Sequence, residues 1–500
     1  MTDRIKNFNL LAGGVLFLLF SLLTLEVFDW VIDDLYIYFR YVNNFTIGNG
    51  IVFNKGENVE GFSSFSWLMI LSVIKSAGLP LEFSSKIAGL IFTLFSLICF
   101  YRICTETGLS DFFIPAAILM LFNLPLILWA VSGFEIMLFF FILLMCFLII
   151  VRMNTDSSLN LLLSFLIFLI SVSRPEGVVF SFVMLIFIYV FSGNRTLTLK
   201  HLGIYSLLFG AFLIFRIFYY GDILPNTYYA KIGHNIVGYY EFRTYKNGIF
   251  YILYFLKSNP QFLIFFLLLP FTFDKLKSDK KFLLIVSIIL IQFTFIIFSG
   301  GDWMVQYRFA VVSIPFLSLG TVFCLNSITF SKFSKTYLIK LFTLLFFLIS
   351  AAGLYFADRS VIEKETVLWN NLKKESADIY KNIPAGSIVA NGSSGIIPYY
   401  LEDVKFIDLV GLTNKHIARE GFRHGTWFER SLPDYVYSQD PEWIIMWKKK
   451  NADGIYTFRD ASPCYYDMAE NKNFSDFEFF KEYDLYDDVK IELYKKIKSN

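Results

Sequence analysis

Asp33-Asp34-Leu35-Tyr36-Ile37-Tyr38-Phe39-Arg40 follows directly on the first hydrophobic segment, residues 8–28. Two adjacent carboxylates sit where a membrane helix meets water. Ionised groups are costly in lipid, so this pair must face water, a partner or a substrate. The stretch places acid/base chemistry at a membrane surface, in a chain that otherwise reads as lipid-embedded scaffold.

Working outward, the rest of the chain agrees. Of 500 residues, 56% are hydrophobic and 17% charged, with a mean hydropathy of +0.56. The apolar residues are bunched near 8–28, 84–101, 111–130, 136–151, 159–172, 176–191, 202–219, 259–273, 281–299, 308–328 and 335–356. Runs of that length mark a polytopic membrane protein, although several are shorter than the ~20 residues of a perpendicular span. The run 66–74 is shorter still and reads as a half-span or re-entrant helix. No small-residue cleavage site follows residues 8–28, so they read as a retained anchor. The counts of Phe (60) and Tyr (29) suit lipid-facing and interfacial helices.

Loop charge gives an orientation. Arg4 and Lys6 place the N-terminus in the cytoplasm. If 66–74 does not cross, Arg102, Arg152, Arg195 with Lys200, the cluster Lys275/Lys277/Lys280/Lys281, and Lys332 with Lys335 all share that side. The pattern favours about eleven spans with the C-terminus outside. The polar, Gly/Pro-punctuated segments 29–65, 131–135, 173–177, 220–246 and 300–308 then lie on the external face. Residues 245–256 read as an interfacial helix. The expected fold is an all-α polytopic membrane domain over residues 1–356, followed by a soluble extracytoplasmic α/β or α+β domain over 357–500. In that second domain Lys373–Lys381 reads as a helix end, and Ser387–Ala390, Val404–Leu409, Trp443–Trp447 and Val489–Tyr494 as buried strands.

Some chemistry finds no support. The five cysteines have no metal-ligand spacing or disulfide framework and read as apolar filler. His201, His234, His416 and His424 form no pair at zinc spacing. Gly392-Ser393-Ser394-Gly395 is weak as a phosphate loop and reads as a plain turn after a strand. There is no Walker-type loop or dinucleotide fingerprint, and no nucleic-acid partner is expected.

Four polar stretches can carry chemistry. On a helix, Asp33, Tyr36 and Arg40 share a face, which suits a general base beside a cation, or a solvated helix entry. Ser173-Arg174-Pro175-Glu176-Gly177 interrupts two apolar runs, as an internal ion pair or as an arginine fork for a phosphate oxygen. Gly221–Lys231 mixes Asp222, Asn226, Tyr228 and Lys231, as an ordered loop or as a cavity cap meeting sugar hydroxyls. Gly300-Gly301-Asp302-Trp303-Met304-Val305-Gln306-Tyr307-Arg308-Phe309 is a sharp turn between spans. Its Asp302 and Arg308 would lie at the depth of Asp33, with Trp303 and Tyr307 as interfacial anchors.

Together these motifs resemble bacterial integral-membrane GT-C glycosyltransferases, especially the arabinofuranosyltransferase-like branch. The resemblance rests on the Asp33-Asp34 pair and on Asn44…Gly48-Asn49-Gly50-Ile51-Val52-Phe53-Asn54-Lys55-Gly56-Glu57-Asn58-Val59-Glu60-Gly61. It also rests on Arg174–Gly177, Gly221–Lys231 and Gly300–Phe309. It spans roughly residues 10–330, with weaker similarity around Phe406–Gly411.

The resemblance implies transfer of a sugar, such as arabinofuranose or another pentose or hexose, from a polyprenyl-phosphate carrier. The acceptor would be a surface glycan, lipopolysaccharide or protein outside the cytoplasmic membrane. It implies that Asp33 or Asp34 is the catalytic carboxylate. Elementary chemistry adds the rest: a base for the acceptor hydroxyl and cations for the departing phosphate. Arg174, Arg308 and Lys231 are the candidate phosphate partners. Arg40, Glu60, Glu176, Asn226, Tyr228, Asp302 and Trp303 are candidates to bind or orient sugar and acceptor. No cofactor is required, although the acidic residues permit a divalent cation. Two other readings stand beside this one: a lipid-linked sugar transporter or flippase, and a non-catalytic scaffold in surface-glycan assembly. Absence of an internal repeat and the one-sided polar motifs weigh against the transporter.

Overall fold

The computed structural model describes residues 2–153, 157–232, 240–328, 334–424 and 429–497. His234 and Lys332 lie outside them. The residues divide into two compact units. The first comprises Met1–Asp29, Glu82–Phe212 and Glu241–Arg359, and the second Trp30–Leu81, Leu213–Tyr240 and Ser360–Asn500. One division between the units, at Arg359/Ser360, lies close to the compositional change at Ala357, while two upstream segments group with the C-terminal residues.

The first unit is helical. Asn7–Val27, Leu81–Glu106, Arg195–Tyr220, Lys280–Ser299 and Lys335–Tyr355 are each long and apolar enough to cross a membrane. The Arg195–Tyr220 helix runs into the second unit from Leu213 onward. Two bent pairs bring the number to as many as seven: Ser110–Leu121 with Leu124–Ala130, bent by 74°, and Thr244–Ser258 with Pro260–Ser278, bent by 102°. Breaks have local causes. Asn123 caps Leu124–Ala130 by accepting from Leu126 N, with Pro125 in the first turn. The remaining expected runs are the shorter apolar helices Ile136–Val151, Asn160–Ser173, Gly177–Ser192 and Ile314–Ser327. Residues 245–256, read as an interfacial helix, lie in the first arm of the second bent pair. The turn at Ser173–Gly177 needs its glycine, because a Cβ at Gly177 would fall 1.9 Å from the Ile170 carbonyl oxygen.

The second unit is built on a sheet of six strands: β1 (Ile388–Asn391), β2 (Lys405–Asp408), β3 (Trp443–Lys450), β4 (Tyr456–Thr457), β5 (Phe477–Tyr486) and β6 (Val489–Lys496). The order is β2-β1-β3-β6-β5, with β4 paired to β3. β1 is parallel to both β2 and β3, whereas β3–β6 and β6–β5 are antiparallel. The four expected strands are β1, β2, β3 and β6. β5 escapes sequence reading because register shifts between Phe479 and Lys481, and between Asp484 and Tyr486, break its alternation. Helix Ser360–Asn382 contains the expected helix end. Ile407, Leu409, Ile417, Val436, Ile444, Met446, Tyr465 and Met468 form the core under the sheet.

Two helices from the first part of the chain belong to this unit: Asp33–Thr46 and Phe65–Ser76. The second is the expected half-span. At 12 residues it covers less than a bilayer's hydrocarbon core. All five cysteines are buried and free.

Candidate active site

Helix Asp33–Thr46 begins at the acidic pair, after Ile32 in an extended conformation. Carboxylates are favourable there because the helix dipole is positive at its N-terminus. The two acids differ. Asp33 is 6% exposed, whereas Asp34 is half-buried. Asp33 Oδ1 accepts from Ser393 Oγ (2.8 Å) and Ile396 N (2.7 Å), and Oδ2 accepts from Gly395 N (3.0 Å). Burial outweighs these donors and pushes the Asp33 carboxyl up to about 6. The Gly-Ser-Ser-Gly turn, read as a plain turn, thus binds an anion, and the anion is the chain's own carboxylate.

Much of the polar density between Asp33 and Gly61 is internal bonding. Arg40 donates to the carbonyls of Phe53 (2.8 Å), Leu401 (3.0 Å), Val404 (2.8 Å) and Pro398, and packs between the rings of Phe53 and Phe406. These bonds give it an anchoring role. Asn54 donates to the Phe406 carbonyl (2.8 Å) and accepts from Phe406 N (3.0 Å), so it closes the open edge of β2. Glu60 is buried against Arg216, with Oε2 2.7 Å from Nε and Oε1 2.9 Å from Nη2. Both of its carboxylate oxygens face that guanidinium group. Burial raises its carboxyl pKa against the pull of that arginine.

The Gly221–Lys231 loop is held the same way. Asn226 Nδ2 donates to the carbonyls of Gly411 (2.7 Å) and Leu412 (2.9 Å). Its Oδ1 is buried without a partner, so one acceptor there is left for a ligand or water. Asp222 pairs with Arg419 (2.7 Å) and Lys415 (3.4 Å). Fully buried Arg430 donates to the carbonyls of Gly421 (2.9 Å), Tyr229 (3.1 Å) and Ala230 (2.7 Å). Tyr228 is 42% exposed, and Lys231 is exposed. Asp408 is buried and accepts from Ser394 Oγ (2.5 Å), Val410 N (2.9 Å) and Thr413 N (2.7 Å).

The other expected residues lie in the first unit. Arg174 is buried between two carboxylates, with Nη1 2.7 Å from Glu135 Oε1 and Nε 2.5 Å from Glu176 Oε1. The remaining oxygens, Glu135 Oε2 and Glu176 Oε2, have no hydrogen-bond partner. Arg308 grips Asp302 with two bonds, Nε to Oδ2 (2.5 Å) and Nη2 to Oδ1 (3.0 Å). The turn before it is sharp: Gln306 and Tyr307 have φ of 53° and 52°. The Trp129 indole donates to the carbonyls of Val305 (3.2 Å) and Gln306 (3.1 Å) and so braces it. Trp303 is 43% exposed, as an interfacial anchor would be. Neither arginine offers an unpaired charge. Glu135, Glu176 and Asp302 thus surround the two guanidinium groups with three carboxylates.

Sequence reading passed over Glu135, Arg216, Asp408 and Arg430. The first two carried a signal, since each is an ionisable residue in or beside an apolar run. Asp408 and Arg430 carried none: Asp408 is held by Ser394 and by the turn at Val410–Thr413, and Arg430 by the distant carbonyls of Tyr229 and Ala230. Among the described residues, no three His, Cys, Asp or Glu side chains are grouped to hold a metal ion.

Residues 362–494 match the model of a domain of unknown function (DUF8728). A terminal beta-(1->2)-arabinofuranosyltransferase of Mycobacterium tuberculosis is 30% identical over 223 residues, 40% of this chain and 35% of that relative. The chain thus spans about a third of the curated relative it matches. Among solved structures, ArnT from Cupriavidus metallidurans bound to undecaprenyl phosphate aligns with a TM-score of 0.52 at 11% identity, over 96% of this chain and 97% of that one. The Archaeoglobus fulgidus oligosaccharyltransferase in complex with Zn and sulfate aligns with a TM-score of 0.50 at 10% identity, over 94% of this chain and 79% of that one. The chain thus shares the fold of these two solved structures, and part of its sequence is similar to that arabinofuranosyltransferase.

Proposed function

We propose that this protein transfers a glycosyl group from a polyprenyl-phosphate carrier to an acceptor on the extracytoplasmic face of the cytoplasmic membrane, with Asp34 as general base. One observation carries the assignment: both oxygens of Asp33 are committed to Ser393, Gly395 and Ile396, while its neighbour Asp34 is half-buried at the same helix start. Asp34 takes the proton of the acceptor hydroxyl as its oxygen attacks the anomeric carbon. The bond from that carbon to the phosphate oxygen breaks, and the electron pair leaves with the polyprenyl phosphate. A placed base contributes ~10²–10⁴-fold.

Of the three cations expected to meet the phosphate, Lys231 is the exposed one, and it takes that contact in this reading. Arg174 and Arg308 hold their turns through Glu135, Glu176 and Asp302. The donor is supported by the undecaprenyl phosphate bound to the ArnT neighbour, and an arabinofuranosyl group by the mycobacterial relative. The acceptor in this reading is a surface glycan, lipopolysaccharide or glycoprotein.

The test is to delete the gene, find by mass spectrometry the surface glycan or glycoprotein that loses one sugar, and complement with Asp34→Asn. No restoration is expected. Full restoration would exclude Asp34 as the base and leave a scaffold or a lipid-sugar carrier.

A further inference from the structure

The tie between Asp33 and the Gly392–Gly395 turn is the strongest signal that the reaction does not use. Three donors converge on one carboxylate, at 2.7 Å, 2.8 Å and 3.0 Å. Gly395 is required by this approach: a Cβ there would lie 1.8 Å from the Asp33 carbonyl oxygen and 2.9 Å from its Cγ. Two turns along the same helix face, Arg40 binds Pro398, Leu401 and Val404 of the same C-terminal segment. One face of helix Asp33–Thr46 is therefore bonded at its first residue and at its middle to residues 393–404. Asp34 lies one residue further round the helix.

We propose that residues 393–404 of the C-terminal domain hold the acid-bearing helix in register, and that Asp33 is a positioning residue that aims Asp34 and not itself a base. The proposal rests on the reading of Asp34 as the base. A misplacement of about 1 Å at a reacting group costs on the order of 10²-fold, so the aim of Asp34 matters even though Asp33 touches no substrate.

The experiment uses the full-length chain in the deletion strain, reading the sugar increment on the surface glycan. It adds amide exchange of Gly395 and Ile396 in the purified protein. Asp33→Ala is expected to lose roughly 10²-fold of transfer and to unprotect both amides. Asp33→Asn keeps one acceptor oxygen for Ser393 and Ile396 and is expected to recover to within about 10-fold of the parent. An amide cannot replace a base, so Asp34→Asn recovers nothing. Ser393→Ala lowers transfer, and combined with Asp33→Ala it loses no more than Asp33→Ala alone, because the two act through one tie. Should Asp33→Ala fail to fold, Asp33→Asn and Ser393→Ala carry the same comparison.

The proposal is overturned if Asp33→Asn is as inactive as Asp33→Ala while the two amides stay protected, since Asp33 would then be the base. It is overturned equally if Ser393→Ala changes nothing. Activity in Asp34→Asn would end the base assignment instead. It would leave the positioning claim standing on the exchange data and on the shared effect of Asp33 and Ser393.

Discussion

Asp33→Asn should alter the pH dependence of stability in a stated direction. Burial raises the Asp33 carboxyl from 3.8 to about 6, because desolvation outweighs its three hydrogen bonds. The folded state therefore binds a proton more tightly than the unfolded state. Stability from this group is fullest below the unfolded value and is lost as pH rises through the folded one. At about 1.4 kcal/mol per pKa unit, the loss between pH 4 and pH 7 is on the order of 3 kcal/mol. Asparagine cannot titrate, so the variant lacks this slope. It leaves the Gly395 N–H facing an amide group, a cost of about 1–3 kcal/mol at every pH. The variant should accordingly be less stable than the parent near pH 5 and level with it near pH 8. The assay is thermal unfolding of the full-length chain in detergent at pH 5, 6, 7 and 8. Glu365, pushed up to about 7 by burial despite its bond from the Trp30 indole (3.0 Å), titrates in an overlapping window in both proteins. It cancels in the difference between them. Curves that stay parallel from pH 5 to pH 8 would refute the reasoning, because they would mean that the Asp33 carboxyl is not held in a desolvated site.

Three further outcomes are expected. Arg430→Lys loses the guanidinium fork that holds the Tyr229 and Ala230 carbonyls, at a cost of roughly 2–4 kcal/mol, and amide exchange should rise locally around residues 226–232. Arg174→Ala leaves Glu135 and Glu176 buried without their cation and should cost about 3–5 kcal/mol. The folded yield should fall, and adding Glu135→Gln and Glu176→Gln should recover much of it. The proposed transfer assigns no step to a metal, so EDTA should leave the rate in membranes unchanged. A loss that added magnesium restores would return Asp302 or Glu176 to the role of ion ligand.

The membrane unit was legible in the sequence because its signal is local. Twenty apolar residues in a row can only be a helix in lipid, where every backbone group must find its partner within the segment. The apolar runs accordingly fall on helices, and the four most apolar stretches of the tail became β1, β2, β3 and β6. The acidic pair at Asp33-Asp34 also announced itself, because charge beside a membrane helix needs a reason.

Tertiary structure decided what each charge does. The donors that hold Asp33 are Ser393, Gly395 and Ile396, some 360 residues away in the chain. Arg40 and Glu60, read as candidate ligands for a substrate, are bonded within the chain itself, to Val404 and Arg216. Arg174 and Arg308, read as phosphate cations, are paired with Glu135, Glu176 and Asp302, partners that the sequence did not name. The physical reason is that a residue type states what a side chain can bond to. Only the folded packing states which partner, at 3 Å and out of water, has already taken the bond.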